Sequence, residues 1–276
     1  MENKTSKRAV LFIFSLSSFF TPFTASSINI ALPSIAKEFS LNAVMLSWVN
    51  LAFMLTVAVF VIPFGKIGDI YGRKKIFTYG IVIYTLASLM SALAHSGNFL
   101  IFSRFLQGIG SAIIYGIGIA ILTSVFPPGE RGKALGINIA ATYLGLSLGP
   151  VLGGLLTQHF GWRSIFFFTV VIGIIIIIAL EWKLKGEWAE SRGEKLDSAG
   201  AAVFIASLFA FLYGFSLMPA FYSILLIAAG LAGLVFFYKL ETRTANPVLD
   251  VSIFKINPVF VFSNLSALII ILRPRA

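Results

Sequence analysis

The residues of this sequence that could do chemistry are charged and small residues next to long apolar stretches. The segment 65–75 holds Asp69 and Arg73, with glycines at positions 65 and 72. Glycine allows a tight, closely packed turn, and an aspartate or arginine can make charge-assisted contacts with neighbouring helix ends. A second cation, Arg104, lies inside an otherwise uncharged stretch. A charge costs free energy there unless it faces water or hydrogen-bond acceptors, so Arg104 is a functional candidate.

Groups for covalent, metal or nucleotide chemistry are scarce. The sequence has no cysteine, which excludes thiol nucleophiles, disulfides and Cys-based metal sites. Its two histidines, His95 and His159, lie in predicted loops without nearby carboxylates and are too few for most metal sites. No Gly-x-x-x-x-Gly-Lys-[Ser/Thr] segment that could cradle ATP phosphates occurs. We therefore expect no metal, no cofactor and no enzymatic activity.

Composition places these residues in a lipid environment. Of 276 residues 58% are apolar and only 12% are charged, and the mean hydropathy is +0.94. A soluble domain carries about 25% charged residues, so this chain cannot cover itself with a water-facing surface. A helix needs about 20 apolar residues to cross about 30 Å of hydrocarbon. The sequence predicts eight such helices, at about residues 9–35, 43–64, 76–94, 99–125, 134–158, 164–182, 198–217 and 220–239.

The cations orient these helices. With the N-terminus in the cytoplasm, the cytoplasmic segments hold nearly all Lys and Arg, starting with Lys4, Lys7 and Arg8, whereas the outer loops hold only Lys37 and Arg163. Short loops rich in Lys and Arg are retained on the cytoplasmic side, which predicts a multi-pass protein of the plasma membrane. The net charge of +10 follows from this topology. The basic residues are dispersed among loops, so we expect no nucleic-acid partner.

The segment after the second predicted helix resembles a known signature. Gly-x-x-x-Asp-x-x-Gly-Arg-[Lys/Arg]-[Lys/Arg] marks the same cytoplasmic loop in the major facilitator superfamily. The resemblance implies a cytoplasmic gate that is closed when the transport cavity faces outward. The alternative, a simple cationic anchor, explains the Lys and Arg residues but not the aspartate or the glycines. The gate residues implied by the resemblance are Gly65, Asp69, Gly72, Arg73 and Lys74.

The fourth predicted helix resembles the Arg-x-x-Gln-Gly-x-Gly pattern of the same family. At 100° per residue its polar and small residues fall within a sector about 100° wide. We expect this polar face to line the cavity. The alternative is an arginine that extends to the outer interface, since Arg104 lies near the helix end. The face consists of Arg104, Gln107, Gly108, Ser111 and Tyr115.

The fifth predicted helix resembles the antiporter motif Gly-x-x-x-Gly-Pro-x-x-Gly-Gly, which the family associates with exporters. Glycines every four residues form a groove for another helix, and a proline removes one backbone donor and bends the helix. A general packing face of small residues would explain the glycines alone. The motif residues are Gly145, Gly149, Pro150, Gly153 and Gly154.

Weaker matches at 29–33, 161–163 and 196–200 extend the resemblance to the drug:proton antiporter branch with fourteen helices. The implied fold class is an all-α integral membrane protein of the major facilitator fold. It comprises an N-terminal six-helix bundle, an inserted two-helix hairpin and a truncated ninth helix. We assign the bundle to 1–183, a cytoplasmic loop to 184–197, the hairpin to 198–239, a second loop to 240–257 and the start of a C-terminal bundle to 258–276.

Two departures affect the expected mechanism. Many of these exporters carry an intramembrane aspartate where this sequence has Thr24, and its eleven acids all lie at helix ends or in loops. The first helix instead offers a polar face, a candidate for the cavity, of Ser17, Thr21 and Thr24. The apolar stretch that begins at Pro258 is short for a membrane span. We interpret the sequence as lacking a C-terminal bundle needed for function, with a natural short chain that dimerises as the alternative.

The expected function is secondary active export of small amphipathic molecules, as in multidrug efflux. The expected partners are the lipid bilayer, a small-molecule substrate and a coupling ion, for which the proton is one candidate. A dedicated metabolite or siderophore exporter of the same superfamily is the alternative. A more distant alternative is an integral membrane enzyme acting on lipids.

Overall fold

A computed structural model of the chain describes residues 7–272. The cytoplasmic prediction for Lys4 and the tail of the predicted range 258–276 beyond Leu272 lie outside the described residues. Within 7–272 every regular element is a helix, so the predicted all-helical membrane class is confirmed. The helices are α1 (Lys7–Phe39), α2 (Ala43–Tyr71), α3 (Arg73–Ala92), α4 (Gly97–Val125), α5 (Pro128–Phe160), α6 (Arg163–Lys183), α7 (Ser198–Ser216), α8 (Phe221–Glu241), α9 (Ile253–Ile256) and α10 (Pro258–Leu272).

Eight of these helices, α1 to α8, are long and apolar enough to cross a membrane, and they coincide with the eight predicted stretches. Local signals set their ends. Asn42 accepts a hydrogen bond from the Met45 N–H at the start of α2, and Ser96 accepts one from the Phe99 N–H at the start of α4. Pro128 occupies the first turn of α5, where a missing N–H costs nothing. Most of the connection between the predicted helices 99–125 and 134–158 is therefore helical as well.

The chain divides into two compact units, one that ends at Glu194 and one that begins at Lys195. In the first unit α1 packs along α5, α2 along α4, and α3 against both α4 and α6. Tilted aromatic pairs join the helices in its core, with ring centroids 4.6 Å apart for Phe14 and Phe77 and 4.7 Å apart for Phe20 and Tyr84. Residues 184–194, predicted as part of a loop, fold onto this unit.

The second unit holds the α7–α8 hairpin, followed by α9 and α10. Gly230 allows α8 to approach α7 closely, because a Cβ there would lie 2.5 Å from the backbone nitrogen of Phe211. The rings of Phe204 and Phe237 pack 5.1 Å apart across the same interface. The short α9 was not predicted. The predicted ninth span is α10, a helix of 15 residues, shorter than the other spans.

Candidate functional site

The α2–α3 junction is a single residue, not the loop that the sequence predicted. Asp69 lies in the last turn of α2 and Arg73 begins α3, with only Gly72 between the helices. Gly72 has φ of +110°, a backbone conformation that residues with a side chain rarely adopt. Because the turn is so short, Arg73 Nε donates a 2.6 Å hydrogen bond to Asp69 Oδ1. The two charged residues of the motif therefore pair with each other across the turn.

Arg73 is also the point at which three parts of the first unit meet. Its Nη1 donates to Glu190 Oε1 at 2.7 Å and to the Ser124 hydroxyl at 2.6 Å. Ser124 and the carbonyl of Ala120, 3.4 Å from the same nitrogen, belong to the last turns of α4. A cation at a helix C-terminus is favoured by the helix dipole. Arg73 is only 4% exposed, so it is a buried cation held by two carboxylates and a helix end.

The segment after α6, residues 184–194, forms what we call the α6 strap. The Glu187 carboxylate accepts hydrogen bonds from the Lys74 and Lys75 N–H groups at 2.7 and 3.1 Å. It thereby satisfies two of the free N–H groups that every helix N-terminus leaves, here those of α3. The Arg73 N–H donates to the Trp188 carbonyl at 2.7 Å. The strap thus binds α3 through a side chain and through its backbone.

Two further contacts of the α6 strap reach α2. The Ser191 N–H donates to the carbonyl of Asp69 at 3.0 Å, and Glu194 forms a 2.6 Å ion pair with Lys66.

The Arg73 hydrogen bond holds the pKa of Glu190 below its ordinary value of 4.5. Ser124 and the nearby Arg131 also lower this pKa, whereas burial raises it. Glu190 is therefore ionised at neutral pH. The three glutamates of the strap each contact a cation or an N–H group of the junction, and backbone hydrogen bonds of Trp188 and Ser191 add to them.

Sequence reasoning placed Glu187, Glu190 and Glu194 among acids at ends or in loops and assigned them no role. The charge pattern of the strap and of the segment 65–75 contained a signal for their contact. The strap carries three glutamates within eight residues, while the segment 65–75 carries four cations, and both segments were predicted on the same side of the membrane. Complementary charge on two loops of the same side indicates a contact between them.

Arg104 is enclosed between α2, α3 and α4. Its Nε donates to the Val49 carbonyl at 3.1 Å, its Nη1 donates to Gln107 Oε1, and its guanidinium carbon lies 4.4 Å from the centroid of the Phe53 ring. Gln107 in turn donates to the Ser88 hydroxyl at 2.7 Å. Arg104 is 1% exposed, so the expectation that it lines an open cavity is wrong for this chain. A buried charge needs acceptors, and neighbouring helices supply them.

The rest of the predicted polar face of α4 divides between packing and an open surface. Gly108 and Ser111 are buried, and a Cβ at Gly108 would lie 2.8 Å from the Phe53 carbonyl of α2. Tyr115 lies further along α4, and its hydroxyl accepts a 3.0 Å hydrogen bond from Thr21 of α1. The first part of the face therefore holds α2 close, and only Tyr115 borders an open groove.

The antiporter-type motif of α5 lies against α1. A Cβ at Gly145 would overlap the Phe19 carbonyl, one at Gly149 would overlap the Ser26 hydroxyl, and one at Gly153 would lie 2.6 Å from Ser27 Cβ. The Ser27 hydroxyl donates to the Gly149 carbonyl at 2.9 Å. Gly154 differs, because its nearest neighbour, Ile30 Cγ2, would be 3.7 Å away. The remaining motif residue, Pro150, is exposed inside a helix that continues to Phe160.

The predicted cavity residues of α1 are buried between helices. Ser17, Thr21 and Thr24 are at most 1% exposed, and Thr24 and Thr169 of α6 share a 2.8 Å hydrogen bond between their hydroxyls. The structure therefore contradicts their assignment to an open cavity. The Ser17 and Thr24 hydroxyls each donate to a carbonyl one turn earlier in α1, and the Thr21 hydroxyl donates to Tyr115, so all three are satisfied inside the bundle. Ser18, one position further round the helix than Ser17, faces an open groove instead.

This α4–α5 groove has a volume of about 350 Å³ and contains hydroxyl, amide and aromatic groups. Asn138 Nδ2 donates to the Ser18 hydroxyl at 2.8 Å and to the Phe14 carbonyl at 3.2 Å. Sequence reasoning missed Asn138, although it and Thr142 are polar residues one helical turn apart in an apolar helix, a detectable signal. The groove residues, none of them Asp, Glu, Lys, Arg or His, are Ser18, Ile114, Tyr115, Gly118, Ile119, Asn138, Ile139, Thr142 and Tyr143.

Metal chemistry finds no support in the part of the chain that the structure describes. No group of three or more His, Asp or Glu residues that could hold a metal ion occurs within residues 7–272. The described residues form instead a charged junction at one end of the bundle, an enclosed arginine and an uncharged groove.

Comparison with known proteins identifies relatives along most of the chain. The riboflavin transporter RibZ of Clostridioides difficile is 35% identical over 72% of this chain and 43% of its own length. The multidrug resistance protein Stp of Mycobacterium tuberculosis is 31% identical over 83% of this chain and 43% of its own length. Multidrug resistance protein 3 of Bacillus subtilis is 31% identical over 76% and 42%. The chain thus spans less than half the length of these relatives.

Solved structures share the fold at low sequence identity. The crystal structure of the POT family transporter PepTSo superimposes with a TM-score of 0.64 at 15% identity, over 84% of this chain and 52% of that chain. The sequence model of the Major Facilitator Superfamily matches residues 14–273, nearly the whole chain. The predicted resemblance is confirmed: this multi-pass membrane chain belongs to the major facilitator superfamily.

Proposed function

We propose that this chain forms the N-terminal part of an exporter of small amphipathic molecules, driven by an ion gradient through alternating access. The observation that carries the proposal is the close packing of α1 into the Gly145–Gly153 groove of α5, beside a groove of uncharged polar and aromatic groups. Relatives named as multidrug resistance proteins support it. In this proposal a second bundle, like the part of the longer relatives that this chain does not match, completes the cavity.

The α2–α3 junction serves as the cytoplasmic gate in this proposal. Its cations lie at the same end of the bundle as Lys7 and Lys133. This concentration of positive charge supports a cytoplasmic N-terminus in the plasma membrane. The paired carboxylates on Arg73 hold this end of α2, α3 and α4 together. Opening towards the cytoplasm requires these contacts to change.

A dedicated metabolite exporter is the second candidate, because the riboflavin transporter RibZ is 35% identical to this chain. The α4–α5 groove supports this candidate through its chemistry. Tyr115 and Tyr143 offer aromatic faces, and Asn138 and Thr142 offer hydrogen-bonding groups. Such a set suits a planar heteroaromatic ring. Both candidates are transporters, and neither requires enzymatic activity.

Transport in vesicles tests the proposal. Residues 1–257 are joined to the C-terminal bundle of the Bacillus subtilis relative, and this joined transporter is placed in inside-out membrane vesicles. Gradient-dependent uptake of ethidium supports multidrug export, and uptake of riboflavin alone supports the metabolite exporter. Uptake of neither compound, with the protein correctly inserted, contradicts the substrate proposals. Uptake that survives collapse of the proton gradient excludes the proton as coupling ion.

A further inference from the structure

A groove between α1 and α6 lies apart from the gate and from the α4–α5 groove. It has a volume of about 590 Å³, and its walls are almost entirely apolar. Its floor includes Ala9 and Ala179, whose small side chains leave space between two large exposed neighbours. Those neighbours are Phe12, 60% exposed, and Trp182, 75% exposed. We call this surface the α1–α6 groove.

Two cations stand at one end of the α1–α6 groove. Because α1 begins where α6 ends, Arg8 and Lys183 meet at the same level. Both are exposed, and neither has an ion-pair partner among residues 7–272. Two other cations at this end have ion-pair partners, Lys7 in Glu130 and Lys66 in Glu194. The groove therefore offers an uncompensated positive charge beside an apolar trough.

The α1–α6 groove is elongated along α6. From Lys183 back to Ile175 the α6 wall extends eight residues, about 12 Å at 1.5 Å per residue. The trough thus runs along the helix axes, which is the direction of an acyl chain in a bilayer. Trp182 lies at the level of the cations, and tryptophan is enriched where membrane helices meet the headgroups. The two cations, the length of the groove and the position of Trp182 all fit one lipid molecule.

We propose that the α1–α6 groove binds an anionic phospholipid. The phosphate lies between Arg8 and Lys183, and one acyl chain lies along the wall formed by Phe12 and Ile175. Charge complementarity selects this occupant, because an anionic lipid brings net negative charge to the two cations, a zwitterionic lipid brings none, and a covering protein segment would have to bring acids. The proposal uses the membrane location of the chain but not its substrate or its direction of transport.

Lipid retention measured by native mass spectrometry of the full chain tests the proposal. Detergent-purified chain is titrated with phosphatidylglycerol or phosphatidylcholine of the same acyl chains. We expect one phosphatidylglycerol to be retained in preference to phosphatidylcholine. The double variant Arg8→Gln/Lys183→Gln is expected to lower this preference about 25-fold, since each cation near an anionic surface contributes about fivefold.

The matched control is Lys239→Gln/Arg243→Gln, which removes two exposed cations of the second unit and is expected to retain the lipid as the unsubstituted chain does. Ala179→Leu fills the floor of the groove and leaves both cations in place, and we expect it to weaken retention as well. An excess of inorganic phosphate should not displace the lipid, since the acyl chain contributes to binding.

Several outcomes would overturn the proposal. One is equal retention of both lipids by the unsubstituted chain, and another is an unchanged preference in the Arg8→Gln/Lys183→Gln variant. Displacement by inorganic phosphate would show a simple anion site instead. No arm of the experiment measures transport, so its failure would leave the proposed export function standing.

Discussion

Glu190 Oε1 lies 2.7 Å from Arg73 Nη1, which joins the α6 strap to the first residue of α3. The two partners differ in environment, since the Arg73 side chain is 5% exposed and that of Glu190 is 67% exposed. The carboxylate can therefore move into water at little cost, whereas the guanidinium cannot. Asp69 remains on Arg73 when Glu190 leaves. This asymmetry makes the strap, rather than the arginine, the part of the proposed gate that can release.

Glu190→Gln is expected to loosen the strap and to leave the bundle folded. An exposed ion pair contributes up to about 1 kcal/mol, so we expect the strap to open up to about fivefold more often. A spin label at Arg192→Cys reports this as increased mobility, and the absence of other cysteines makes it the only label site. Glu181→Gln, an exposed carboxylate at the end of α6, is the control and should leave mobility unchanged. Equal mobility in both variants would contradict the role of Glu190.

The same label tests the pH dependence of the strap. The pKa of Glu190 is lowered in the folded protein, so its contact contributes stability above its ordinary value of 4.5. That contribution is lost as the pH falls through the lowered pKa. Label mobility should therefore stay constant from pH 8 to about 5 and rise only below about 4.5. In the Glu190→Gln variant the rise should be weaker, and an identical pH response would show that another group controls the strap.

Hydropathy was sufficient to predict the helices, because each span must bury its backbone polar groups in lipid. All eight predicted stretches coincide with helices, from Lys7–Phe39 to Phe221–Glu241. The junctions were less predictable. The α2–α3 connection is only Gly72, since α2 continues from its predicted end at residue 64 through Lys66 and Asp69 to Tyr71. Polar residues at a helix end carry no hydropathy signal, so the length of α2 could not be inferred from composition.

The candidate site was predicted in part. The motif residues Asp69 and Arg73 were identified from the sequence, but their mutual pairing and the Glu190 contact were not. Such contacts depend on where a loop packs in the folded chain. The hydrophobic periodicity of the sequence does not encode that position. The register of α1 was also wrong, because Ser17 and Ser18 differ by 100° and only packing decides which of them is buried. Arg104 was recognised as unusual, but its acceptor, the Val49 carbonyl, belongs to a different helix.

Gly149→Ala is expected to destabilise the first unit, because its Cβ would overlap Ser26 of α1. Overpacking of a close interface costs typically about 1–3 kcal/mol. Thermal unfolding in detergent measures the loss, with Gly154→Ala as the matched control. Gly154 has space for a Cβ, so its variant should unfold within about 0.5 kcal/mol of the unsubstituted chain. Equal stability of the two variants would show that α1 does not pack against Gly149.

Arg104→Lys is expected to keep part of the activity, and Arg104→Ala is expected to lose most of it. Lysine keeps the charge but lacks the planar group that contacts the Phe53 ring while donating to the Val49 carbonyl. The measurement is ethidium uptake by the joined transporter, divided by the amount of inserted protein. Full turnover per inserted molecule in the Arg104→Ala variant would make Arg104 a purely structural residue. Full equivalence of lysine would contradict a role for the planar group.

The gate at Arg73 is tested most directly by removing its two carboxylates, singly and together. In the joined transporter, Asp69→Asn and Glu190→Gln each leave one carboxylate on the buried cation, and the double variant leaves none. Leaving a buried cation without a carboxylate costs about 3–5 kcal/mol, so the double variant should lose far more transport than the product of the single effects. Uptake per inserted protein in inside-out vesicles is the measurement. The account predicts modest losses for the single variants and near-complete loss for the double variant, whereas normal uptake by a well-inserted double variant would contradict it.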